Sequence, residues 1–222
     1  VDLRAGRAPA IRVGLARDLS DVVVDHVLAT LEDHLRGGDV TVRTVPGAAV
    51  PGLVTDGSLD VGLITRWPSS PIAIGPELES LPLVREELVA VGGAQTIGGD
   101  AADLDALTHG LLVAGPTPEA EDGVARLLSA ETSSPVLAHT VGDVVTGLRL
   151  AKITGGAMIL PRSMAGFGEL PVRPLQPPAH VETVLLATQQ RSADPEVFNI
   201  VIALTGGLAD GEALQSAMPA VE

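Results

Sequence analysis

Short apolar runs alternating with helix-period stretches constrain this chain most. Ile11-Arg12-Val13-Gly14-Leu15 reads as a strand, and after the loop Ala16-Arg17-Asp18-Leu19-Ser20 the residues Val23, Val27, Leu28, Leu31 and Leu35 recur at helical spacing. Ser20 or Asp18 suits the cap of that helix, Asp21 its first turn, and Gly37-Gly38 its end. Val40, Val42 and Thr44 alternate as a second strand; Pro46-Gly47 turns the chain, and a short helix carries Pro51 in its first turn. Val61-Gly62-Leu63-Ile64-Thr65 is a third strand. Successive strand and helix units with nearly continuous apolar strands call for a parallel sheet covered by helices on both faces. The chain therefore reads as α/β.

After a strand within 83–91 the pattern restarts. Gly110 to Ala114 is a strand, Thr117-Pro118-Glu119 opens a helix, Val136 to Thr140 is a strand, Asp143 to Ile153 a helix, and Ala157 to Leu160 a strand stopped by Pro161. Pro171 to Pro178 reads as an edge strand with a connector, Val181 to Thr188 as a strand, and Pro195 to Leu208 as an amphipathic helix. At about 150 residues per domain, 222 residues allow one large domain or two small lobes. The expected fold is two βαβ lobes with mostly parallel sheets and a crossover hinge. Residues 1–10 read as a linker remnant, 11–88 and 183–210 as lobe I, 89–182 as lobe II, and 211–222 as a weakly ordered tail. Ligands in such sheets sit beyond the C-terminal strand ends and between lobes.

Composition removes several functions. With 14 Lys+Arg against 28 Asp+Glu, the net charge of −14 opposes the counterion displacement on which nucleic-acid affinity rests. Trp67, Phe167 and Phe198 are the whole aromatic complement, too few for base stacking. Without Cys there are no disulfides, thiolate metal sites or cysteine nucleophiles. No apolar run approaches the length of a membrane span, and the first residues lack the plan of a signal peptide. The start at Val1, without Met, suggests a cut or processed fragment.

Catalytic signatures are missing too. Lys152 follows Ala151, so no phosphate loop exists; Gly166-Phe167-Gly168 is an incomplete glycine fingerprint; no G-x-S-x-G elbow occurs. His26, His34, His109, His139 and His180 lack metal-ligand spacing, and Glu86-Glu87 and Glu119/Glu121 read as solvating charges. No enzyme activity, metal or cofactor is expected.

The chain resembles the effector-binding domain of LysR-type transcriptional regulators. The resemblance runs from about Ile11 to Leu208 through Ile11-Arg12-Val13-Gly14, the segment Leu53 to Ile64 with Gly57-Ser58-Leu59-Asp60, the strand Leu81-Pro82-Leu83-Val84-Arg85-Glu86-Glu87-Leu88-Val89, Leu104-Asp105-Ala106-Leu107, and Thr154-Gly155-Gly156-Ala157-Met158-Ile159-Leu160-Pro161. It implies a type-2 periplasmic-binding-protein-like fold, a cytoplasmic regulator, and DNA contact only through a winged helix-turn-helix preceding this sequence. It also implies self-association through helices 20–36 and 195–208, whose apolar stripes could equally face only their own sheet.

Position by position, the resemblance puts a small-molecule effector at Ala16, Arg17, Asp18 and Leu19, at Ala48 beside Gly47 and Ala49, at Thr65 and Arg66 beside Trp67, at Thr117 beside Gly115, and at Thr140 and Val141. Helix N-termini there suit a carboxylate. Family members often carry Ser or Thr where this chain has Ala16, Asp18 and Ala48 or Ala49; Arg17 and Arg66 could replace that clamp, while Asp18 favours an amine and hence a zwitterion. Asp18 and Thr117 also have a plain reading as helix caps, and Arg66 as a solvated arginine. Two other functions fit the same scaffold: a secreted solute-binding protein of an uptake system, and a small lyase or dehydratase.

Overall fold

The computed structural model describes residues 10–68, 72–93, 96–104, 107, 112–115, 117–129, 137–167 and 169–206. The first section comprises β1 (Ile11–Ala16), α1 (Asp21–Thr30), α2 (Glu32–Gly37), β2 (Val40–Val45), a 3-10 turn (Gly47–Ala49), α3 (Val50–Thr55) and β3 (Val61–Arg66). β1 lies between β2 and β3 and runs parallel to both, as alternating strand and helix require. The single helix expected through Leu35 is instead interrupted at Leu31, with φ −95° and ψ 4°. The expected cap also differs. Ser20 occupies the N-cap position of α1 without a side-chain hydrogen bond, and the Asp18 carboxylate accepts instead from Trp67.

Two glycines in register set how closely α3 approaches this sheet. Gly14 on β1 pairs with Gly62 on β3. A side chain at Gly62 would collide with Val50, and one at Gly14 with Leu59, so their bare backbones let α3 and the turn behind it lie against the strands. Asp60, in that turn, is the fastening point. Its buried carboxylate accepts from the Arg12 backbone N–H at 2.8 Å and from Arg12 Nε and Nη2 at 3.0 Å each, and it pairs with Arg191.

β4 (Leu78–Gly92) runs antiparallel to β10 (His180–Thr188) along Leu78–Glu87, then antiparallel to β8 (Ala157–Pro161) along Leu88–Gly92. β10 is also antiparallel to β3, which places it between β3 and β4. The second section holds β5 (Ala102–Asp103), β6 (Leu112–Ala114), α4 (Pro118–Ser129), β7 (Leu137–Thr140), α5 (Val144–Thr154), β8, a 3-10 segment (Arg162–Phe167) and β9 (Val172–Gln176). β6 lies parallel between β7 and β8. After β10 come α6 (Gln189–Ser192) and α7 (Pro195–Gly206). The sheet order is β2-β1-β3-β10-β4-β8-β6-β7, with β9 on β4. Each section keeps parallel strands; the crossing strands β4 and β10 make the whole sheet mixed. The linker residues 1–9, residues 207–208 expected in the last helix, and the tail 211–222 lie outside the described residues.

The cores follow strand periodicity. The first section buries Val13, Leu15, Val23, Val27, Val54, Leu63, Leu185, Val197, Ile200 and Leu204 in one cluster. On β4, Leu88 and Ala90 face a second cluster that includes Ala120, Val124 and Leu128 of α4, whereas Val89 and Val91 face a third with Leu148 and Ala151 of α5. Alternate residues of one strand thus supply both faces, so the second section is covered on each side, as its apolar strands predict.

Candidate functional site

The loops after β1 and β3 and the turn after β2 meet the N-terminal end of α4. Ala16, Asp18, Leu19 and Thr65 are buried there, and Gly47 is buried beside them. Thr65 Oγ1 donates to the Asp18 carbonyl oxygen at 3.1 Å, and Trp67 Nε1 donates to Asp18 Oδ2 at 3.0 Å. Asp18 is only 3% exposed, and its Oδ1 and the hydroxyl of Ser20 are buried without a hydrogen-bond partner among the described residues. Burial, with a smaller push from the Glu119 carboxylate, raises the Asp18 carboxyl to about 6 against the pull of the Trp67 N–H.

Two residues bind the sections together at this point. Trp67 directly follows β3 but packs in the second cluster, with Gly123 of α4 so close that a side chain there would strike the indole. Glu119, in the first turn of α4, accepts the Ala48 N–H at 2.9 Å across the same gap. Thr117 caps α4 by accepting the Ala120 N–H at 3.2 Å, as its sequence context predicts.

Other nominated residues lie elsewhere. Arg17 is exposed. Arg66 points to the opposite side of β3 from Thr65 and pairs with Glu182 at 3.3 Å. Thr140 is exposed at the end of β7, and Val141 packs in the third cluster, on the sheet face opposite α4. The structure adds Gly47 and Glu119 to the cluster. Glu119 reads as a solvating acid in sequence, and only its place after an N1 proline at a helix start hinted at an exposed N-terminal turn. Among the described residues no group of three or more His, Asp or Glu side chains could hold a metal ion.

A concavity of about 450 Å³ lies along the crossing strands, between Pro68, Arg85, Leu127 and the segment Pro178 to Glu182. It is open, and Arg85 Nη2 lies 3.4 Å from His180 Nδ1 at its side.

A family profile described as the LysR substrate binding domain matches residues 4–206. The chain belongs to this family. LysR-domain folds recur among solved structures. The C-terminal domain of a probable LysR family transcriptional regulator from Rhodococcus sp. RHA1 aligns with TM-score 0.70 and 18% identity over 90% of this chain and 100% of that one. The Corynebacterium glutamicum OxyR C206 mutant aligns with TM-score 0.71 and 17% identity over 96% of this chain and 69% of its own. The BenM effector binding domain with its effector benzoate aligns with TM-score 0.70 and 17% identity over 96% and 97%. No curated protein sequence matches the chain. These likenesses establish the type-2 periplasmic-binding-protein-like fold expected of a LysR domain, and among the described residues no helix is long and apolar enough to cross a membrane.

Proposed function

We propose that the chain is the effector-sensing domain of a cytoplasmic LysR-type DNA-binding regulator, and that a small carboxylate or zwitterionic molecule binds at the Asp18 cluster. The observation that carries this reading is the buried Asp18 Oδ1, which has no hydrogen-bond partner among the described residues, at a point spanned by Glu119 and Trp67. Residues 11–88 with 183–210 form one lobe and 89–182 the other, joined where β4 and β10 cross. Binding shifts the lobes because the ligand meets both, and it acts only through differential affinity for two arrangements. DNA is gripped by a separate winged helix-turn-helix, consistent with the charge of −14 on this domain. Self-association runs through α1 and α7, which expose Leu28, Phe198 and Ile202.

Membership of a regulator family supports this reading over a solute-binding protein or a lyase. A thermal-shift screen of small metabolites tests it, since a ligand at 100 times its Kd adds about 2.7 kcal/mol. Hits are expected to change the fluorescence of Trp67, the sole tryptophan. Hits that stabilise the domain while leaving Trp67 unchanged would remove the site from this cluster.

A further inference from the structure

The charge at the Asp18 cluster has the wrong sign for an anion. The N-terminus of α1 would favour a negative guest, yet the position before it already holds a buried carboxylate. The cations nearby in sequence are engaged elsewhere or face water. Arg12 and Arg191 pair with Asp60, Arg66 pairs with Glu182, and Arg17 is exposed. No arginine or lysine forms a described ion pair with Asp18. Among the described residues, Oδ2 takes one neutral N–H, from Trp67, and Oδ1 takes none.

A second carboxylate faces the same space. A methyl group built on Gly47 would lie 3.5 Å from Asp18 Oδ1, 3.6 Å from Ala16 Cβ and 3.7 Å from the Glu119 carboxylate carbon. The room left by the glycine is thus bounded by acids from both sections of the sheet. Among the described residues Glu119 Oε1 accepts a backbone N–H from Ala48, and that contact is exposed and exchangeable with water.

We propose that this space takes the ammonium group of a primary amine or amino acid, seated over Gly47 between Asp18 and Glu119. This rests on the Asp18 cluster being the effector site and narrows the ligand there. An ammonium supplies three donors and a positive charge, enough to satisfy Asp18 Oδ1 and Glu119 together. A purely anionic ligand would instead add a third negative charge to a desolvated pair.

The test uses ligand pairs differing only in an amino group, namely butylamine with butane-1-ol, γ-aminobutyrate with butyrate, and each common α-amino acid with its deaminated acid. Titration calorimetry and Trp67 fluorescence follow binding at up to millimolar concentration to the wild type, Asp18→Asn and Gly47→Ala. Gly47→Ala places one methyl at ordinary contact distances, so it fills the space without crowding the fold. The amino member of at least one pair is expected to bind preferentially, and both variants should weaken it by about tenfold or more, the effect of losing a charge-assisted contact or the space for it. Should acids bind as well as their amino partners, or should no amino member bind, the ammonium assignment is overturned. Loss of binding in Gly47→Ala together with a preference for acids would keep the effector site and discard only the ammonium. Wild-type binding by both variants would discard the site as well. If Asp18→Asn fails to fold, Gly47→Ala carries the decision.

Discussion

At the scale of single residues, two buried aspartates behave in opposite ways. Asp60 is desolvated, which alone would raise its carboxyl, but the hydrogen bonds from the Arg12 side chain and backbone and from Arg191 outweigh that and hold it below the usual range. Its contribution is therefore complete above pH 3.8 and is lost as the pH falls through the depressed folded value. Asp60→Ala removes the carboxylate shared by two partly exposed arginines, whose guanidinium groups water can still solvate, and is expected to cost about 1 to 3 kcal/mol in urea unfolding at pH 7. Asp18 has the reverse sign. Its folded value of about 6 against 3.8 unfolded means that the native state is unpenalised below 3.8, increasingly penalised as the pH rises from 3.8 towards 6, and fully penalised above 6. Asn at this position keeps an acceptor for Trp67 Nε1 while removing the charge. Asp18→Asn should therefore stabilise the domain by about 1 to 3 kcal/mol at pH 8 and leave the melting temperature unchanged near pH 3.5. A mutant that is less stable at pH 8 would show that Asp18 is compensated after all. A buried charge that costs stability and meets no cation is the usual mark of a group kept for binding.

At the scale of elements, sequence periodicity located strands and helices wherever both faces of the sheet are covered. β1, β3 and β8 are almost wholly buried, so their apolar runs stand out from the flanking loops. The first part of β4 was less legible because along Leu78–Glu87 it pairs with β10 alone, leaving an edge on which Glu79, Ser80, Arg85 and even Pro82 are tolerated. α1 and α7 present another element-scale question. They pack side by side, with His26 Nε2 3.3 Å from the Leu204 carbonyl oxygen, and bury Val23, Val27, Val197 and Leu204 inward. Phe198 and Ile202 nevertheless stay 51% and 52% exposed on the outer side. If the proposed self-association runs through this face, replacing both by Asp should shift sedimentation towards the monomer, at a cost to monomer stability of about 1 to 2 kcal/mol per half-buried site. On α4, Gly123→Ala should cost about 1 to 3 kcal/mol by overpacking the indole of Trp67, together with a red shift of its emission as the helix is wedged outward.

At the scale of the whole molecule, the loops that gather at the candidate site were nominated through the family resemblance, and they follow strand ends, where α/β sheets gather ligands. Glu119 was not, since its partner Ala48 lies 71 residues earlier and surface acids look alike in sequence. Trp67 was singled out as a neighbour of the site, but its burial in the other section's core depends on how the two sections close and left no mark in local pattern. The position of β10 between β3 and β4 carries one more consequence. β10, which covers the open edge of β3, is made after the entire second section, so during synthesis β3 waits for this partner from more than a hundred residues away; Leu63 pairs with Leu185. Such long-range pairing is slow to form and leaves an apolar edge open meanwhile. A nascent chain halted at Gln176 should thus be cleaved by protease within 11–66 and engage holdase chaperones, whereas one extended through Gly206 should resist cleavage there. The order in which ribosomes release this chain, and not only its sequence, then governs how much of it escapes aggregation.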